Sequence, residues 1–375
     1  MDERSYKLLN PGPVTLTERV RKALSRPDMC HREPEFAALT MDVIARLSAV
    51  YPESQKDYVP VLITGSGTAA VEAMLGSLVP KTGKKTLVVA NGVYGDRAAA
   101  MLKAQGKAYH TVEAKWTEGM DLAATEKALQ TGEFGHVVAV HHETTTGRLN
   151  DIDSLGKLCV KYNVPLLLDA VSSFAGERIR FAEWNLEACA ATANKCLHGV
   201  PGIAFVVARA SAFEGKETGA TSVYLDLFRY RKEQAKGWSP FTQSVHVLYA
   251  LQEALKELAE AGGWEARHTR YAALSQKVRE GLFALGIPTF LEDAQVYGST
   301  LVSYRLPFGV AYEQLHDTLK EDGFIIYAGQ GPFQGQIFRI ANMGDLTLQD
   351  MERVLDSVKG TIKHAAEAAS RGTVA

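Results

Sequence analysis

The hydrophobic positions of the chain change rhythm near residue 58. Before it they recur at helical spacing, over residues 17–24 and from the polar turn at 31–36 to about 50, behind an extended arm over 5–14 that ends in Pro11-Gly12-Pro13. After it, short apolar runs alternate with amphipathic stretches. The runs at 59–63, 86–90, 108–112, 136–141, 164–169, 188–193 and 203–208 predict strands, and the segments 68–78, 94–104, 122–129 and 152–162 between them predict helices. Alternation of this kind implies an α/β fold, with a mostly parallel seven-stranded sheet between helices and a site at the carboxyl ends of its strands.

Residues 214–237 are charged and aromatic without a clear period, and read as a surface or interface excursion. Two long helices follow at 245–260 and 264–285, broken at Gly262-Gly263. They lead into a smaller α+β unit with a strand at 300–306, a helix at 312–321, short strands near 324–327 and 337–340, and a last helix at 348–368. The expected division is an arm over 1–15, a large domain over 16–265 and a small one over 266–375, as a length of 375 residues suggests.

Composition changes this picture little. A net charge of −2 sets up no global field for nucleic acid or an anionic membrane. Cys30, Cys159, Cys189 and Cys196 lack CxxC spacing, which argues against a structural zinc site or a disulfide framework. Met1–Ser5 has no apolar core of a signal peptide, and no apolar run approaches the roughly 18 residues of a membrane helix. The expectation is a cytoplasmic enzyme that binds small molecules.

The predicted sheet places pointed chemistry on one rim. Gly65-Ser66-Gly67-Thr68 turns a strand into a helix, and amides at a helix start plus two hydroxyls suit a phosphate. An ordinary tight turn, or a nucleotide site, remains open on this motif alone. Tyr94 sits on the first turn of a helix, where it either packs or stacks on a flat ligand. His141-His142-Glu143 suggests a metal, but consecutive strand residues face opposite ways, so no metal is expected, and a hydroxyl from Thr144 or Thr145 suits the position better. Asp169 ends the apolar run Leu166-Leu167-Leu168, and Lys195 follows between small residues. Such a pair suits pyridoxal phosphate, with the lysine forming the Schiff base and the acid keeping the pyridine nitrogen protonated. Arg339, inside Phe338-Arg339-Ile340, is either in a structural ion pair or binds a substrate carboxylate.

Asn10-Pro11-Gly12-Pro13, Gly65-Ser66-Gly67-Thr68, Asn91-Gly92-Val93-Tyr94-Gly95, His142-Glu143-Thr144-Thr145-Thr146-Gly147, Asp169-Ala170-Val171-Ser172-Ser173 and Ala193-Asn194-Lys195-Cys196 occur in this order. Together they resemble the class V aminotransferases of fold type I, and within them the branch acting on 2-aminoethylphosphonate and pyruvate. The resemblance implies pyridoxal 5'-phosphate as cofactor, with Lys195 and Asp169 catalytic. It implies Ser66, Gly67 and Thr68 on the phosphate, Tyr94 stacked on the ring and Thr145 near the ring hydroxyl. It further implies Arg339 on the carboxylate of pyruvate or alanine, and Thr242 on the phosphate of a partner subunit's cofactor in a homodimer. One segment departs: His31-Arg32-Glu33-Pro34-Glu35-Phe36 is more similar to the alanine–glyoxylate and serine–glyoxylate branch, and offers Arg32 as a second anion-binding group.

Overall fold

The computed structural model describes residues 5–215 and 217–372. The seven predicted runs all form strands: β1 (Tyr58–Gly65), β2 (Lys85–Ala90), β3 (Tyr109–Glu113), β4 (Phe134–Val140), β5 (Leu166–Asp169), β6 (Leu186–Thr192) and β7 (Gly202–Arg209). They make one sheet in the order β1-β7-β6-β5-β4-β2-β3, in which β7 runs antiparallel to both neighbours and the other pairs are parallel. Gly65, Ala90, Val140, Asp169 and Thr192 therefore end their strands on a common edge.

Burial on both faces explains why the central strands read as continuous apolar runs. Leu166 and Leu168 enter the apolar cluster on one face and Leu167 the cluster on the other, and Val137 and Val138 divide in the same way. The helices covering the sheet carry their own start signals. They are α1 (Glu18–Ala23), α2 (Pro34–Ser48), α3 (Gly67–Leu78), α4 (Val93–Ala104), α5 (Leu122–Leu129) and α6 (Ile152–Lys161). Pro34 begins α2, and Thr17, Ser66, Asp121 and Asp151 cap α1, α3, α5 and α6 through their side chains.

The excursion at 214–237 holds a helix that its charged composition concealed, α7 (Leu227–Gln234). Leu227, Tyr230 and Gln234 are its buried positions, a spacing of three and four set among arginines and a lysine. Two long helices follow, α8 (Val245–Glu260) and α9 (Gly263–Ala284), separated where Gly262 and Gly263 take φ of +96° and +81°.

Beyond them Leu301–Arg305, Ile337–Ala341 and Tyr327–Ala328 form a three-stranded antiparallel sheet, packed with α10 (Tyr312–Glu321) and α11 (Leu348–Gly372) around a separate apolar cluster. The N-terminal arm joins this unit. Lys7–Leu8 pairs in parallel with Phe324–Ile325, and Leu9 is buried in the same cluster. The first four residues of the arm lie outside the described residues. Among those described, no helix is long and apolar enough to cross a membrane.

Candidate active site

Lys195 follows β6 by a short turn, and the arm closes over it. Its amine donates a hydrogen bond to the Pro11 carbonyl. Gly12 takes φ of +110°, and a Cβ there would lie 2.6 Å from Lys195 Cδ, so the Pro-Gly-Pro turn requires a glycine at this contact. Burial brings the Lys195 ammonium down to about 8, opposed by the Asp169 carboxylate and reinforced by the Arg339 guanidinium.

Asp169 closes β5. One carboxylate oxygen accepts the Val171 amide at 2.9 Å, and the other has no hydrogen-bond partner among the described residues. Burial pushes this acid up to about 6, against the pull of that amide, Arg97 and Lys195. The start of α3 packs directly on the same turn: a Cβ on Gly67 would fall 2.8 Å from Val171 Cγ1. Ser66 caps α3 by accepting the Ala69 amide at 3.4 Å, which leaves the Gly67 and Thr68 amides without partners among the described residues. Ser66 and Thr68 are exposed beside them.

Tyr94, Thr68, Arg97, Asp169 and Val171 line one narrow cleft, with the Arg97 guanidinium 4.8 Å from the centre of the Tyr94 ring. Thr145 is fully buried at the next strand end, donating its hydroxyl proton to Glu143 at 2.6 Å and accepting the Val93 amide at 3.3 Å. Arg339 is only 2% exposed and bonds the Ala328 carbonyl (3.0 Å), the Thr144 carbonyl (2.8 Å) and Gln330 Oε1 (3.1 Å). Among the described residues no carboxylate pairs with it at ion-pair distance, which removes the structural ion pair left open by the sequence. A buried guanidinium held only by neutral oxygens keeps its charge available for an anion.

Two predicted residues lie apart. Arg32 is exposed and donates to the Ser239 carbonyl at 2.9 Å; Thr242, three positions further along that loop, is exposed as well. Within this chain neither bonds Lys195, Asp169 or Arg339. The two adjacent histidines diverge, His141 packing edge-on against Trp184 while His142 meets Thr300 Oγ1 at 3.0 Å. Sequence reasoning gave no part to Arg97, weighed Glu143 only as a metal ligand, and named the Pro11-Gly12-Pro13 turn without placing it on the lysine. A glycine between prolines was the one local sign that the arm makes a tight approach.

Residues 54–343 match the family model for aminotransferase class-V. The chain belongs to this family. Among similar proteins, the 2-aminoethylphosphonate–pyruvate transaminase of Salmonella paratyphi C is 35% identical over 365 residues, which are 96% of this chain and 98% of the relative. That of Bacillus mycoides is 36% identical over 368 residues, 96% of this aminotransferase and 100% of the relative. Solved structures agree on the fold. An alanine–glyoxylate aminotransferase from Nostoc sp. superposes with a TM-score of 0.89 at 24% identity, covering 96% of each chain. A pyridoxamine–pyruvate aminotransferase from Mesorhizobium loti gives 0.88 at 25% identity, covering 97% of this aminotransferase and 93% of its own chain.

Proposed function

We propose that this aminotransferase uses pyridoxal 5'-phosphate to move an amino group from 2-aminoethylphosphonate to pyruvate, giving phosphonoacetaldehyde and L-alanine, as a homodimer in the cytoplasm. The observation that carries the reading is Arg339, a buried cation with no carboxylate at ion-pair distance among the described residues, within electrostatic reach of Lys195. It suits the carboxylate of an oxo acid. The names of the similar proteins support the substrate pair.

The residues present fit the cofactor. The unpartnered Gly67 and Thr68 amides with the Ser66 and Thr68 hydroxyls suit its phosphate, and the free oxygen of Asp169 suits a protonated ring nitrogen. When bound, pyridoxal phosphate supplies an electron-poor ring that takes up the electron pair left on the substrate carbon. Lys195 Nζ would anchor the cofactor and would also serve as the base at the amine-bearing carbon; an amine held near 8 is partly neutral at physiological pH. With the cofactor bound, Asp169 would keep the ring nitrogen protonated, and Tyr94 and Thr145 would help to hold the ring. Arg339 orients pyruvate through its carboxylate. Arg32 and Thr242 are exposed on one loop cluster and make no bond to the chain's own Lys195, which suits a role in the partner subunit's site.

A second reading rests on the His31–Phe36 turn, whose sequence favours alanine or serine with glyoxylate. A donor panel separates the two: 2-aminoethylphosphonate with pyruvate is expected to give the highest kcat/KM. Faster turnover of serine or alanine with glyoxylate would overturn the phosphonate assignment. Lys195→Ala is expected to abolish steady-state turnover together with the borohydride-reducible cofactor linkage.

A further inference from the structure

The carboxyl end of α3 lacks an amide it needs. In Gly76-Ser77-Leu78-Val79-Pro80 the proline stands four residues after Gly76 and brings no N–H to its carbonyl. Lys107, which follows α4 and is 4% exposed, takes that place. Its ammonium donates to the Gly76 carbonyl at 2.8 Å, to the Gly219 carbonyl at 3.1 Å and to the Val79 carbonyl. All three donors of the ammonium are thereby used. Among the described residues no carboxylate pairs with it at ion-pair distance. Burial and the Lys81 ammonium bring this amine down to about 8, which leaves it mostly charged at neutral pH. The charge rests on carbonyl dipoles and the negative end of α3.

Gly219 belongs to the excursion between β7 and α7, and its seat is closely fitted. Its amide donates to the Ser77 carbonyl at 2.9 Å, and a Cβ on it would run into the Val79 oxygen and lie 2.8 Å from the ammonium. Further along, Ser77 Oγ donates to the Leu225 carbonyl at 3.1 Å and accepts the Leu227 amide at 2.9 Å. Between these two fastenings Val223 and Tyr224 are exposed side by side, with the Tyr224 hydroxyl on the Thr64 carbonyl. The last turn of α3 thus anchors both ends of residues 219–225, and one of the anchors is a buried cation.

Convergent backbone carbonyls without a carboxylate suit a monovalent ion, whose water they replace, whereas calcium sites add carboxylates. We propose that Lys107 fills a monovalent-cation site from within: its ammonium stands where an ion would, and fixes residues 219–225 and their Val223–Tyr224 patch to α3 without drawing a cation from solution. The site lies at the other end of α3 from the Gly65–Thr68 turn, and needs neither cofactor nor substrate. Cutting back the side chain leaves three convergent oxygens and room for an ammonium ion.

The test is deuterium exchange of peptides spanning 217–226, read by mass spectrometry on the whole chain in ammonium or tetramethylammonium chloride at equal ionic strength. The parent should exchange slowly and alike in both salts. Lys107→Ala in tetramethylammonium should exchange roughly 10- to 100-fold faster, as loss of hydrogen bonds to a charged group implies, and ammonium should return it toward the parent. Lys107→Met fills the space without donors and should stay fast in both. Unchanged exchange in Lys107→Ala, or fast exchange that ammonium does not slow, overturns the proposal, and so does equal rescue of Lys107→Met. If Lys107→Ala does not fold in tetramethylammonium, ammonium must restore its circular dichroism, and failure in both salts overturns the proposal too. Gly219→Ala keeps the lysine but pushes its carbonyls apart, and should speed the same peptides; an unmoved rate there counts equally against the site.

Discussion

Asp169 illustrates how a residue placed for chemistry weakens the protein that carries it. Its acid is held at about 6 in the fold, against 3.8 for the unhindered group, because burial disfavours the charge. A folded pKa above the unfolded one gives stability that is complete below about 4 and lost as pH rises through about 6. In the cofactor-free protein Asp169→Asn, which can still accept the Val171 amide, should therefore raise stability at pH 8 by about 1–3 kcal/mol, from the size of the shift. The gain should vanish toward pH 4, as read by urea denaturation at both values. With cofactor bound the ring nitrogen becomes the missing partner and the order should reverse. A variant no more stable than its parent at pH 8 would show that the empty site does not strain the acid. Arg339 poses the converse case, a cation whose three hydrogen bonds all go to neutral oxygens. Arg339→Lys should lower kcat/KM for pyruvate roughly 10- to 100-fold, the worth of about 1.5–3 kcal/mol for hydrogen bonds to a charged group. A change below twofold would take the carboxylate away from this residue.

At the scale of elements, the exposed side of β1 shows what kept part of the fold out of view. β1 is an edge strand, and its open backbone groups are a liability unless covered. At Leu62 the cover is one side chain on α7: Gln234 Oε1 accepts the Leu62 amide at 2.8 Å and Gln234 Nε2 donates to the Leu62 carbonyl at 2.7 Å. Gln234→Leu keeps the bulk but strands both backbone groups, so a loss of about 2–4 kcal/mol is expected. Faster hydrogen exchange at the Leu62 amide should accompany it, and unchanged exchange would locate the edge cover elsewhere. Nothing in the spacing of 227–234 announced this, because a helix anchored by one amide and two apolar positions has little amphipathic signal. The central strands were legible for the opposite reason: Leu166-Leu167-Leu168 and its neighbours are buried on both faces, and burial is what hydrophobicity encodes. The site divides along the same line. Ser66, Tyr94, Asp169 and Lys195 stand at strand ends that the alternation placed on one rim. The closure of Pro11-Gly12 over Lys195 and the bond from the Val93 amide to Thr145 join segments more than 40 residues apart, and local pattern carries no trace of such contacts.

At the scale of the whole molecule, one chain leaves the rim unfinished. Beside the Gly65–Thr68 turn, Tyr224 donates to the Thr64 carbonyl at 2.9 Å and packs on Phe241, yet Tyr224 is 40% and Val223 63% exposed, and Thr242, which follows Phe241, is exposed too. An apolar exposed patch adjoining a polar site suits a second copy of the chain rather than solvent. In a two-fold dimer each loop would serve the other subunit's site, and the arrangement makes a definite demand on mixed assemblies. Lys195→Ala removes the anchor from its own site, whereas Thr242→Glu places a negative charge against a phosphate in whichever site Thr242 serves. Each homodimer should be inactive. A heterodimer of the two variants pairs the intact Lys195 of one protomer with the intact Thr242 of the other, so one of its two sites is complete if Thr242 acts across the interface. Mixing the variants under conditions that exchange subunits should then restore turnover and a borohydride-reducible linkage on the Thr242→Glu chain alone, identified by mass spectrometry. If Thr242 serves its own chain, that protomer carries both its lysine and the offending charge, and mixing restores nothing.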